Sequence, residues 1–271
     1  MYKKSIKAFC IATAVCAVLR ALVKVLFVDT ETGFYIGSRL LPMTFGAVML
    51  AGIAAIVFFA LREKDESNGV LRGNRYLEVT TAAFGVAVAA VSVPKLLEAM
   101  KIDPEEPVIN RLPGWLMQIE HILGILSGIA FLYITFCLLS GAKRSASQGI
   151  VALIPVFWHT IAMVDRFISF REVSTVSDQF LETMYLVCAT MFLLANARCL
   201  AATAKSAKKC VLWGLLTACF GLVLVAGQAS AMVVLGSDIS GPPALQNALI
   251  VVTPCYAITV SMAMAIASSK E

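Results

Sequence analysis

Charge is scarce in this chain. Lys, Arg, Asp and Glu make up 14% of its 271 residues, and apolar residues make up 59%. A soluble domain usually has about 25% charged residues. So few charged side chains leave too little polar surface to cover a water-soluble globule. The composition therefore excludes an ordinary soluble domain and favours a membrane protein.

Recognisable catalytic and cofactor motifs are also missing. The sequence has no Gly-x-Ser-x-Gly elbow, no His-Glu-x-x-His, no phosphate-binding loop and no dinucleotide fingerprint. Its eight cysteines form no Cys-x-x-Cys pair and no zinc-ligand spacing, and we interpret them as packing residues. An enzyme is therefore less expected than a non-catalytic protein, and the sequence predicts no cofactor.

What the chain has instead is a series of long apolar stretches. A helix needs about 20 apolar residues to cross a bilayer, and none of the stretches shows the alternation of a barrel strand. The sequence therefore predicts an all-α membrane protein, with one integral membrane domain over residues 1–271 and a polytopic bundle of about eight transmembrane helices. The predicted spans are 6–28, 39–61, 76–98, 116–140, 149–170, 176–199, 210–235 and 245–267.

The distribution of charge between the spans predicts the orientation. If the N-terminus is cytoplasmic, most Lys and Arg residues outside the spans fall in cytoplasmic loops, which is the positive-inside pattern. We therefore expect a plasma-membrane protein with both termini in the cytoplasm. The net charge of +5 reflects this topology, so the expected partner is the lipid bilayer and no nucleic acid. The outer loops hold mainly acids, namely Asp29, Glu31, Asp103, Glu105, Glu106, Glu172 and Asp238.

A weak internal repeat suggests two related halves. The segment "TAAFG" (Thr81–Gly85) recurs as "TACFG" (Thr217–Gly221), a shift of 217 − 81 = 136 positions. A true duplication would give halves 1–140 and 141–271 with four helices each. An even number of helices per half makes the two halves parallel. The alternative is coincidence, because short matches arise by chance in apolar sequence.

The ionisable residues inside the spans are the most specific signal. A charge at bilayer depth costs several kcal/mol, so such residues usually face a partner or a water-filled cavity. The stretch "FWHTIAMVDRFISF" (157–170) carries His159, Asp165 and Arg166, and the first and last of these share a helix face. Almost all such residues fall in the outer half of the membrane. The candidate ligand-binding residues are Arg20, Lys24, Glu120, His121, His159, Asp165, Arg166, Asp178 and Glu182.

We interpret these residues as a shared pocket that faces outward. Arg20, Lys24 and Arg166 would meet an anionic group, whereas Asp165 and Glu182 could hold a proton or a cation. This interpretation predicts a protein that transports or binds a small molecule or ion. The sequence identifies neither the ligand nor the oligomeric state.

Two other interpretations stay open. The intramembrane charges could be purely structural ion pairs, for example between Arg166 and a carboxylate of the following span, in a non-transporting sensor or accessory subunit. A metal site among the two histidines and the carboxylates has no local ligand spacing to support it. In the structural alternative Lys24, Lys95, Glu98 and Asp178 simply reach the membrane interface with their polar ends.

Overall fold

The protein is helical in the part of the chain that the structure describes. In this computed structural model, the described part contains no β-strand. It comprises residues 2–28, 36–37, 40–63, 74–101, 112–141, 145–169, 176–201, 207–235 and 244–267. Its helices are α1 (Lys3–Leu26), α2 (Leu40–Arg62), α3 (Arg75–Ala99), α4 (Gly114–Leu139), α5 (Ala146–Val151), α6 (Ile154–Ser169), α7 (Val176–Leu200), α8 (Ala207–Leu235) and α9 (Ala244–Ala267).

Eight membrane-spanning segments are found among the described residues when α5 and α6 count as one. Each is long and apolar enough to cross a bilayer. Large apolar side chains such as Ile11, Phe136 and Val233 point away from the bundle, which suits a surface in contact with hydrocarbon rather than water. The predicted fold class is confirmed, and the chain is a multi-pass integral membrane protein.

The fifth span differs from its prediction because it is broken. Helix α5 ends at Val151 and α6 begins at Ile154, with a turn between them. Pro155 stands in the first turn of α6, where its missing N–H cannot continue the hydrogen bonds of α5. The predicted span over 149–170 is therefore present as Ala146–Ile168, but it is divided into two helices before this proline.

Six helices form a closed ring, and the first two lie outside it. Around the ring, α3 contacts α4, α4 contacts α6, α6 contacts α7, α7 contacts α8, α8 contacts α9, and α9 contacts α3. Helices α1 and α2 pack on each other and on the outer side of α8. Helices α3 and α4 cross closely, because a Cβ on Gly85 would lie 2.9 Å from the carbonyl oxygen of Gly128.

The two halves suggested by the repeat are not packed alike. The repeated glycine does lie at a helix crossing both times, Gly85 against α4 and Gly221 against Pro254 of α9. However, α8 packs against α1, α2, α7 and α9, whereas α3 packs mainly against α4 and α9. The contacts α1–α2 and α3–α4 of the first half do have counterparts in α6–α7 and α8–α9 of the second, and the duplication stays a prediction.

The bundle has two ends, which we call the terminal face and the opposite face. At the terminal face α1 begins and α9 ends; Glu63, after α2, accepts hydrogen bonds there from the backbone N–H of Lys4 (3.1 Å) and the hydroxyl of Ser5 (2.7 Å). At the opposite face α3 ends and α4 begins. The acidic loop residues used to predict the orientation lie outside the described residues, as do several of the basic ones.

Candidate functional site

A cavity of about 340 Å³ lies in the half of the bundle nearest the opposite face. It is surrounded by the last turns of α3 and α6 and the first turns of α4, α7 and α9. Its volume is in the usual range for small-molecule sites, about 300–1,000 Å³. The polar and ionisable lining residues are Ser92, Lys95, Glu98, Glu120, His121, His159, Asp165, Arg166, Glu182, Tyr185 and Thr253.

The cavity brings together six of the nine residues that the sequence singled out. Helix α4 contributes two of them, α6 three and α7 one. The side chain of Asp178, in the first turn of α7, lies outside the described part of the structure. Ligand binding by these residues stays a prediction. The six are Glu120, His121, His159, Asp165, Arg166 and Glu182.

Arg20 and Lys24 do not line this cavity. Both are buried on α1, and α1 packs against α2 and α8 outside the ring. The guanidinium carbon of Arg20 lies 5.6 Å from the centre of the Phe45 ring on α2. Its stem passes Gly227 on α8, where an added Cβ would lie 3.0 Å from Arg20 Cγ. The anticipated shared pocket therefore lacks these two cations, because α1 does not border it.

An ion pair joins the two helices on one side of the cavity. Arg166 Nε donates to Glu182 Oε1 at 2.7 Å, and Arg166 Nη2 donates to Glu182 Oε2 at 3.3 Å. This two-point geometry is the strongest form of such a pair. The side chains keep 30% and 17% of their surface exposed, so cavity water reaches both partners. The pair fixes the last turns of α6 against the start of α7.

His159 is anchored to α7 at the deeper end of the cavity. Its Nδ1 atom lies 2.8 Å from the hydroxyl oxygen of Thr190, and that hydroxyl donates to the carbonyl of Leu186 at 2.9 Å. A hydroxyl has one proton, so Nδ1 of His159 must be the donor to Thr190. In a neutral imidazole, Nε2 is then left as an acceptor.

Glu120 and His121 are buried polar groups with unused hydrogen-bonding capacity. Each is only 7% exposed, and each lines the cavity. Neither has a hydrogen-bond partner within the described part of the chain, and the imidazole Nδ1 lies 3.9 Å from the Glu120 carboxylate. Buried polar groups are almost always hydrogen-bonded in folded proteins. These two side chains therefore present donor and acceptor atoms to the cavity that no described residue occupies.

Lys95 and Glu98 also line the cavity, although the sequence analysis did not include them among the candidate ligand-binding residues. Lys95 is close enough to Glu120 and Asp165 for an electrostatic interaction with both. A signal in the sequence could have found the two residues. Ser92, Lys95 and Glu98 follow one another at intervals of three along α3, which places them on one helix face.

A glycine makes room for two polar groups of the wall. A Cβ on Gly124 of α4 would collide with the hydroxyl of Ser92 and would lie 2.9 Å from the indole Nε1 of Trp158. The first glycine of "GILSG" is therefore needed for side chains of α3 and α6, while the second, Gly128, is needed for the close crossing with α3.

Four aromatic side chains lie between the cavity and the terminal face, and we call them the aromatic layer. Their ring centres are 4.7–5.7 Å apart in the contacting pairs, and all four are fully buried. They lie about one to three helical turns beyond the cavity-lining residues of their own helices. Asn196 Nδ2 donates to the hydroxyl of the tyrosine at 2.7 Å. The layer consists of Phe84, Phe131, Phe192 and Tyr256.

Neither a metal centre nor a family likeness helps to define the site. The described residues contain no group of three or more His, Cys, Asp and Glu side chains arranged to hold a metal ion. Comparison with known proteins gave no match to a family model, a curated protein or a solved structure. The function therefore has to be argued from the cavity alone.

Proposed function

We propose that this protein binds a small solute in the cavity, with the cavity open to the outside of the plasma membrane, and moves the solute across. The observation that carries the proposal is the cavity itself, where six charged side chains line about 340 Å³ within the spans. Keeping charges at membrane depth is costly, and such residues commonly mark the path of a substrate or ion.

The outward orientation rests on the distribution of basic residues in the sequence. Reporter fusions test it directly. Fusions after Lys143 and Lys209 should report the cytoplasm, and fusions near Glu105 and Asp238 should report the outside. A reporter after Lys209 that proves to be outside would contradict both the orientation and the eight-span count.

Movement of the solute is favoured by prolines within two helices that build the cavity and by a break in a third span. Pro94 lies inside α3, Pro254 lies inside α9, and the fifth span is broken between α5 and α6. Substrate sites of transporters are typically formed by interrupted helices near the middle of the membrane. Such interruptions can absorb the backbone changes of a hinge.

A second candidate is a sensor or accessory subunit that binds without transporting. The aromatic layer favours it, because large apolar rings fill the bundle directly beyond the cavity. Under this second candidate, the Arg166–Glu182 pair would serve only to join α6 to α7.

Thermal unfolding of the purified protein tests binding, and uptake into vesicles separates the two candidates. A solute present at 100 times its Kd stabilises the folded state by about 2.7 kcal/mol, which is readily measured. We expect Glu120→Gln to abolish the stabilisation, because Glu120 lines the cavity. The matched control is Glu78→Gln, near the terminal face in the first turn of α3, which should leave the stabilisation intact.

Each outcome has a definite meaning. Stabilisation with accumulation of the solute inside vesicles supports transport. Stabilisation without accumulation supports the sensor. A solute effect that survives Glu120→Gln, or the absence of any effect across a broad solute collection, contradicts the proposed cavity function.

A further inference from the structure

We infer that the solute is an organic cation, an amine with a small apolar body, whose ammonium group is held by Glu120 and Asp165. This inference rests on the proposed function and specifies the substrate class of the same cavity. It departs from the expectation that Arg20, Lys24 and Arg166 would meet an anionic group, and it keeps the expectation that Asp165 could hold a cation.

The first argument for a cationic solute is the charge of the cavity wall. Among the described lining residues, two basic side chains face four carboxyl groups, a formal charge of 2 − 4 = −2 before any ligand is bound. A cleft with an excess of one sign of charge attracts ligands of the opposite sign. The acidic residues are Glu98, Glu120, Asp165 and Glu182, and the basic ones are Lys95 and Arg166.

The ion pair removes the cation that an anionic ligand would need most. Both guanidinium bonds described above go to the Glu182 carboxylate, so Arg166 and Glu182 largely neutralise each other. The other basic group, Lys95, lies within electrostatic range of Glu120 and Asp165. An anionic ligand would have to compete with these carboxylates, whereas a cation would add to the attraction.

The unused hydrogen-bonding capacity of two carboxylates in the cavity wall also favours a cationic ligand. The buried Glu120 carboxylate lines the cavity without a hydrogen-bond donor among the described residues, and an ionised carboxylate can only accept. Asp165 receives one backbone donor, the N–H of Leu112 at 3.3 Å, and keeps further acceptor capacity. An ammonium group brings up to three donors and a positive charge, which is what these two carboxylates lack.

The rest of the wall fits an organic body better than a bare metal ion. Apolar side chains such as Met117, Leu186 and Ile250 line the cavity together with Trp158, and no metal-binding group is found among the described residues. A volume of about 340 Å³ leaves room for a body of several carbon atoms beside the charged group. An aromatic indole is also the preferred neighbour of an organic cation.

Binding of matched analogues tests the inference. The purified full-length protein is titrated with 2-phenylethylamine, its neutral analogue 2-phenylethanol and its anionic analogue phenylacetate, with butylamine, putrescine and choline as further cations. The readout is tryptophan fluorescence of a variant that keeps Trp158 alone, made by Trp115→Phe and Trp213→Phe. We expect at least one amine to bind at least tenfold more tightly than its neutral analogue.

Charge-removing variants locate the ammonium group. Glu120→Gln and Asp165→Asn preserve side-chain shape and should each weaken amine binding at least tenfold, while the control Glu78→Gln leaves it unchanged. Equal binding of amine and alcohol, or binding that survives both substitutions, would overturn the inference. Selective binding of phenylacetate would also overturn it but would leave the proposed function standing. If none of these compounds binds and no solute of the broad collection stabilises the protein, both the inference and the proposed function are overturned.

Discussion

Two arginines, one buried and one partly exposed, occupy the same half of the bundle in very different surroundings. Arg20, near the end of α1, is 1% exposed and is enclosed by α1, α2 and α8. Arg166, near the end of α6, keeps 30% of its side chain exposed and lines the cavity beside Glu182. The first is part of the packing between helices, and the second is part of a wall that a ligand can reach.

This difference shows what position along a span does and does not determine. Counting residues from the end of a helix gives the depth of a side chain, because each residue advances the helix by about 1.5 Å. It does not say which helix lies opposite. Both arginines lie near the end of their helix, but only α6 belongs to the part of the ring that surrounds the cavity.

The largest expected effect comes from Arg20. Arg20→Ala removes a large, fully buried side chain from between three helices and should lower the free energy of unfolding by about 3–5 kcal/mol. Arg20→Met keeps most of the apolar stem of the side chain and should lower the free energy of unfolding distinctly less. Chemical unfolding in detergent measures both. We expect the fraction that folds to bind the solute with unaltered affinity. A loss of binding without a loss of stability would contradict the packing role assigned to Arg20.

A smaller effect is expected at the cavity ion pair. Arg166→Ala should cost about 1–3 kcal/mol, because the carboxylate left behind was part of a charged hydrogen bond but retains access to cavity water. Replacing both partners together, Arg166→Leu with Glu182→Leu, should recover most of the stability, since no charge is left without its partner.

Solute binding by the double variant then distinguishes the roles of the pair. We expect weakened binding, because both side chains line the cavity. Full binding in a protein of restored stability would show that this pair only joins α6 to α7.

The smallest effect is expected where Arg20 meets α8. A Cβ at Gly227 would lie 3.0 Å from Arg20 Cγ and 3.3 Å from its Nε, and this long side chain can shift slightly. Gly227→Ala should therefore change the free energy of unfolding by about 1 kcal/mol or less and leave solute binding unchanged. Gly46→Ala is the control, because an added Cβ there meets nothing within 4 Å. A loss of several kcal/mol for Gly227→Ala alone would show that Arg20 is held rigidly.

The sequence predicted the helices well because their signal is local. Apolar length alone marks a span, so even the start of α2 at Leu40 agrees with the predicted 39–61 to within one residue. The break before α6 was missed although Pro155 was visible, because an apolar run hides a change in backbone direction. Such a break depends on hydrogen bonds, which composition does not report.

The cavity was predictable only in part because it depends on contacts between distant helices. His159 and Arg166 share a face of one helix, so their common direction could be inferred from spacing. The approach of Lys95 to Glu120 requires knowing that α3 packs on α4, which no spacing within one helix reveals. The placement of α1 outside the ring, and with it Arg20, is a property of the assembled bundle.

The aromatic layer has a consequence for how voltage acts on this protein. Water in a cavity that faces outside would carry the external potential down toward Glu120 and Thr253, so the transmembrane field would be concentrated across the packed rings. A unit charge that crosses the whole membrane potential gains or loses about 2.3 kcal/mol per 100 mV. A cation that moves from the cavity to the terminal face would gain or lose most of that energy while it passes the four side chains of the aromatic layer. Phe84, Phe131, Phe192 and Tyr256 would thus carry most of the voltage drop, so that passage of a cation through the aromatic layer, and not its entry into the cavity from outside, would depend on voltage.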